Sequence, residues 1–153
     1  MTTSLKQTLQ HDLTESIRAR DAVRSATLRM ALTAVTTAET AGTTHRTLSD
    51  AEVLQVLTKE AKKRKEASVA FTGAGRAELA AKEDAELVIL EGYLPAALTP
   101  DELAQLVAEA IAETGASAPG QMGQVMKVLQ PQTTGRADGA AVAAAVRAAL
   151  AAH

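Results

Sequence analysis

The sequence contains no cysteine and no tryptophan, and its only aromatic residues are Phe71 and Tyr93. Without cysteine there can be no disulfide, no thiolate metal site and no thiol nucleophile of the kind that attacks glutamine. Two aromatic rings do not make a stacking platform for single-stranded RNA, and an aromatic-rich β-sandwich is equally disfavoured. Histidine is scarce too: His11, His45 and His153 are the full set, and no two share the i,i+4 spacing of a helical zinc site. No apolar run reaches the ~18 residues of a membrane span. The opening residues carry no apolar core like that of a signal peptide. The chain therefore reads as a soluble, cytoplasmic protein with no membrane partner. No catalytic residue, cofactor or metal ligand declares itself.

What is present is alanine, about a fifth of the 153 residues. Alanine is the strongest helix former, and no run shows the period-two, β-branched pattern of a strand. The expected fold class is all-α. Seven helices follow from the punctuation. The first spans about 3–20, with Leu5, Leu9, Leu13 and Ile17 as its stripe. The second spans about 21–41 and is apolar on two sides. Leu28, Leu32 and Val35 form one side, and Val23, Met30 and Ala34 lie nearly opposite, which predicts neighbours on both. Ser49 and Glu52 form a capping box that starts the third helix, which ends before the turn Thr72-Gly73-Ala74-Gly75. The fourth runs from about Arg76 to Tyr93.

Pro95 and the cap Thr99-Pro100-Asp101-Glu102 mark a break at 94–98. The chain thus divides into an N-terminal domain of four helices, 1–94, and a C-terminal domain of three, 99–153. The fifth helix ends at Gly115. The sixth is predicted to be capped by Ser117 and to stop before Pro131. The seventh is predicted to be capped by Asp138. Met122 and Met126 read as core filling, and Ala141, Ala145 and Ala149 as a stripe that permits close helix contact.

Charge is uneven. Residues 1–76 carry a net +4 and residues 77–153 a net −6, so a polyanion-binding surface is expected in the first half only. The densest cluster is Lys59-Glu60-Ala61-Lys62-Lys63-Arg64-Lys65-Glu66. On a helical wheel Lys59, Lys62 and Lys63 share the outer face and Lys65 flanks it. Such a row suits phosphates, and a solvated helix face is the simpler alternative. Arg64 falls instead at the centre of the apolar stripe. Glu83 holds the same place on the fourth helix. An antiparallel hairpin centred on the 73/74 peptide would make Arg64 and Glu83 an ion pair. Asp84 and Glu86 then read as solvated neighbours. Gly73-Ala74-Gly75-Arg76 lacks the full phosphate-loop pattern and is read as a plain turn.

Several blocks together resemble the GatB/YqeY family. They are Arg24…Leu28-Arg29-Met30, the Ser49–Glu52 box, Lys62-Lys63-Arg64-Lys65-Glu66-Ala67-Ser68, Ala74-Gly75-Arg76, Glu86-Leu87…Ile89-Leu90…Tyr93-Leu94-Pro95 and Gly135-Arg136-Ala137-Asp138-Gly139. The resemblance covers about 4–150 and points to a stand-alone YqeY-like protein. It implies an N-terminal helical domain followed by a three-helix bundle, similar to the tail of the B subunit of glutamine-dependent tRNA amidotransferase. In that enzyme the tail is associated with tRNA recognition, and the chemistry lies elsewhere.

Three functions follow. The first is a non-catalytic module for tRNA or other structured RNA, using Lys59, Lys62, Lys63, Lys65, Arg29 and Arg136. The second is an accessory role in carbon–nitrogen ligation with glutamine as amide donor, as the amidotransferase-like label of such proteins suggests. The third is a helical adaptor for a protein partner.

Overall fold

The computed structural model describes residues 3–152, so His153 lies outside it. Seven α-helices account for most of these residues, and no strand occurs among them. They are α1 (Leu5–Arg18), α2 (Ala22–Glu39), α3 (Asp50–Gly73), α4 (Ala77–Glu91), α5 (Pro100–Thr114), α6 (Met122–Thr133) and α7 (Gly139–Ala151). The chain divides into two compact units, Met1–Leu94 and Pro95–His153.

In the first unit α1 packs on α2 and α3 on α4, while α2 reaches both α3 and α4. Leu9, Leu28, Val35, Val53, Leu57 and Leu90 form its centre, all of them buried. Burying each such side chain contributes about 1.5–3 kcal/mol. The helix starts are fixed locally. Ser4 and Gln7 make a capping box on α1, Asp21 caps α2 through the Arg24 N–H, and Ser49 and Glu52 make the box on α3. The second side of α2 is not covered as its two-sided pattern predicts. Val23 and Met30 stay about half exposed, although α2 packs on α1, α3 and α4 and sets Leu28, Ala31 and Val35 in the core.

The segment between α2 and α3 is held down by a buried acid. Glu39 accepts hydrogen bonds from Lys6 Nζ (2.7 Å) and from the Leu48 N–H (3.2 Å). Its own carbonyl accepts from the Arg46 N–H at 3.0 Å. The Lys6 contact first, and the Leu48 N–H next, hold the Glu39 carboxyl below its ordinary range. With Leu48 buried as well, this polar residue inside α2 organises the loop that precedes α3.

The second unit has its own core of Val107, Ile111, Val125, Leu129, Val146 and Leu150, with Met122 and Met126 packed against it. Thr99 and Glu102 make the capping box on α5, and Gly115 ends that helix in the left-handed conformation, φ 70°. Two expectations need correction here. Ser117 does not cap α6. A single 3₁₀ turn, Pro119–Gln121, precedes that helix, and the Gln121 side chain accepts from the Ser117 and Ala118 N–H groups at 2.7 and 3.1 Å. Nor does α6 stop before Pro131. The proline sits in the last turn, where its missing N–H forfeits one helical bond, and Thr134 N–H to the Gln130 carbonyl (3.1 Å) closes the end. Asp138 occupies the N-cap position of α7, but its side chain makes no capping bond there.

Candidate nucleic-acid interface

The 24 residues of α3 form the longest helix among those described. Its buried line is Val53, Leu57, Ala61 and Arg64, which turns the opposite side to solvent. Lys59, Lys62 and Lys63 are exposed on that outward side with Glu66, and Lys65 is exposed beside them. The row is therefore three lysines to one carboxylate. Lys63 Nζ lies 3.3 Å from Glu60 within the helix, a pair worth little at an exposed site.

Arg64 is the one cation of the cluster turned inward, and it is 5% exposed. Its Nη1 meets Glu60 Oε2 at 2.5 Å, its Nε lies 3.5 Å from Glu86 Oε2, and its Nη2 lies 3.6 Å from the Met30 sulfur. The pairing predicted with Glu83 is corrected by this geometry. The acid across the hairpin is Glu86, which is 6% exposed, while Glu83 is only half-buried. The cause is the turn. α3 runs to Gly73, and Gly75 takes the left-handed conformation at φ 74°. The Arg76 N–H closes on the Phe71 carbonyl at 2.8 Å. The hairpin is thus centred on Gly75, midway between positions 64 and 86, and the partner moves on by three residues.

The other proposed contacts separate. Arg29 is exposed and lines a groove between α1 and α2. Arg136 belongs to the second unit and is engaged there. Its Nε donates to the Ala96 carbonyl at 3.1 Å, its carbonyl accepts from the Leu98 N–H at 2.8 Å, and its Nη2 is 4.0 Å from Glu102. It fastens the chain before α5 to the turn before α7.

One cluster has no counterpart in the sequence reading. Tyr93, just past α4, donates to Asp12 Oδ2 at 2.5 Å and accepts from Arg24 Nη2 at 3.0 Å, with the guanidinium 5.9 Å from the ring centre. Burial first, and the Asp12 bond next, push the phenol well above its ordinary value. The signal available was that Tyr93 is the sole tyrosine. Its two partners lie too far along the chain for any spacing rule to find. Among the described residues no group of three histidine or acidic side chains converges as a metal site. No helix among them is long and apolar enough to cross a membrane.

The family model described as Yqey-like protein matches residues 6–150 of the chain. No curated protein matches it.

Proposed function

Since the chain belongs to the family of Yqey-like proteins, we propose that it is a non-catalytic helical module that binds tRNA or another structured RNA through the outward face of α3. The observation that carries this reading is the sorting of charge on one helix. Lys59, Lys62 and Lys63 face water together, while Arg64 of the same run is locked inside by Glu60 and Glu86. A row of lysines recruits phosphates as point charges and reads no base edges, which agrees with a chain almost without aromatic rings. On this reading the first unit is a four-helix bundle and the second a three-helix bundle, related to the tRNA-recognising tail of the amidotransferase B subunit and acting in the cytoplasm.

Binding of total tRNA across a salt series tests it. The affinity of the purified protein should fall with a log–log slope of roughly −0.7 to −0.9 per phosphate contacted. Lys62→Glu with Lys63→Glu should abolish binding at unchanged helical content. A folded protein that fails to bind at low salt overturns the proposal.

A second reading, a protein adaptor, is favoured by Val69 and Val88, which are 74% and 69% exposed on α3 and α4. Partner capture independent of RNA would then replace the salt-dependent binding.

A further inference from the structure

We infer that the outer groove between α1 and α2 is a second RNA contact, which takes the ribose–phosphate edge of a folded RNA and distinguishes it from DNA. The inference rests on the RNA-binding reading above.

The groove is an open trough of about 430 Å³, with Leu13 and Leu32 among its lining, Arg29, Thr33, Thr36 and Thr37 along α2 and Thr40 at its C-cap. Among the described residues, the Arg29 guanidinium meets no acceptor of the chain itself. It stands as an uncommitted donor. Three of the threonines have the opposite chemistry. Thr33 Oγ1 donates to the Arg29 carbonyl at 2.8 Å, and Thr40 Oγ1 donates to the Thr36 carbonyl at 3.0 Å. Thr37, on the same wall, donates to the Thr33 carbonyl at 2.9 Å. A hydroxyl whose proton is already committed to its own helix offers only lone pairs outward. No carboxylate lines the groove.

The groove therefore asks for a ligand that is anionic, to meet Arg29, and also rich in hydroxyl donors, to meet the threonines. Inorganic phosphate is too small to reach from Arg29 along the row of threonines, and a DNA backbone lacks the sugar hydroxyl. A ribose–phosphate chain has both, and its sugar carbons suit the two leucines. Eleven residues separate Arg29 from Thr40, about 16 Å along a helix, longer than one nucleotide needs. The minor groove of A-form RNA is wide and shallow and displays its 2′-hydroxyls, so it can receive an outward helix face of this kind.

The test compares an RNA hairpin with the DNA hairpin of the same sequence, both fluorescently labelled, against the full chain. The wild type should prefer RNA by about tenfold. Thr33→Val with Thr37→Val should weaken RNA binding by about threefold to tenfold and leave DNA binding unchanged. Thr33→Ser with Thr37→Ser should restore it, and Arg29→Ala should weaken both ligands. Circular dichroism confirms the fold of each variant. If RNA binds but the valine pair leaves it untouched, or weakens DNA equally, the groove inference falls and the α3 reading stands. If the folded wild type binds no RNA at all, both fall.

Discussion

The phenol of Tyr93 donates a 2.5 Å hydrogen bond to the carboxylate of Asp12, 81 positions earlier in the chain. The bond ties the residues just past α4 back to α1, and Arg24 of α2 joins the same cluster. The chain leaves its first unit through a fastened end.

The bond also makes Tyr93 a reporter of its own unit. It is the only tyrosine, so tyrosinate absorbance in a pH titration belongs to it alone. Its folded pKa is raised by burial and by Asp12. The associated stability is fully present below the ordinary tyrosine value of 10.0 and is lost as pH rises beyond it. Absorbance should remain that of the phenol past that pH and then rise together with unfolding of the first unit. Tyr93→Phe should remove the alkaline loss while lowering stability at neutral pH. A phenol that titrates at its ordinary value in the folded protein would refute the account.

Arg64 and Glu86 are both buried and paired. Removing Glu86 leaves Arg64 with Glu60 alone, so the cost stays below the ~3–5 kcal/mol of a fully stranded buried charge. Glu86→Ala should lower the urea midpoint of the first unit accordingly, and Glu83→Ala should change it far less. Arg64→Met with Glu86→Leu should recover part of the loss, because apolar replacement of a buried pair is often near neutral and Glu60 keeps Lys63. A larger loss from Glu83→Ala than from Glu86→Ala would restore the pairing expected from the sequence.

The part of this site that was legible in the sequence is the part set within one helix. Arg64 points inward because of its place among Leu57, Ala61 and Ser68, and the 3.6-residue period shows that directly. The capping boxes at Ser49 and Thr99 are legible for the same reason, since each joins residues three apart. Which acid meets Arg64 depends on how the turn is built. That was set by Gly75 adopting a left-handed backbone two residues past the end of α3, and a shift of one and a half residues at the centre moves the partner by three. Glu39 and the Asp12–Arg24–Tyr93 cluster join residues 9 to 81 apart, where no periodicity reaches.

Two helix ends share one geometry with different residues. At the end of α1 the Arg20 N–H bonds to the Ile17 carbonyl and the Asp21 N–H to the Ser16 carbonyl. The end of α3 repeats this pattern with Gly75 and Arg76. Arg20 sits at φ 58° and Gly75 at φ 74°. An L-residue in that region costs about 1–2 kcal/mol, partly offset by the greater unfolded freedom of glycine. Arg20→Gly should therefore stabilise the protein by about 0.5–1 kcal/mol. Gly75→Ala should destabilise it by about 1 kcal/mol, from local backbone strain alone, since a Cβ there meets no neighbour. Thermal melts of the two variants should move in opposite directions.

Acid should loosen the approach to α3. The Arg46 contact first, and the Ser49 N–H next, hold Glu52 down at about 2 against an ordinary 4.5. Glu39 is lowered as well, chiefly by Lys6. Both carboxylates have depressed folded values, so their contribution is present above about pH 4.5 and is lost as pH falls toward 2. The melting temperature should drop across that window. Glu39→Gln with Glu52→Gln should flatten the dependence while lowering the plateau. An unchanged acid limb in the double variant would sink the assignment.

Arg136 has a consequence for how such a chain can be cut and joined. Its side chain and carbonyl grip Ala96 and Leu98, so the residues before α5 are structural property of the second unit. A fragment begun at Thr99, where the helix starts, would leave those grips empty. The exchangeable cassette begins at Pro95, and fusions or circular permutants spliced at the Leu94–Pro95 bond would carry the second unit away with its own fastening intact.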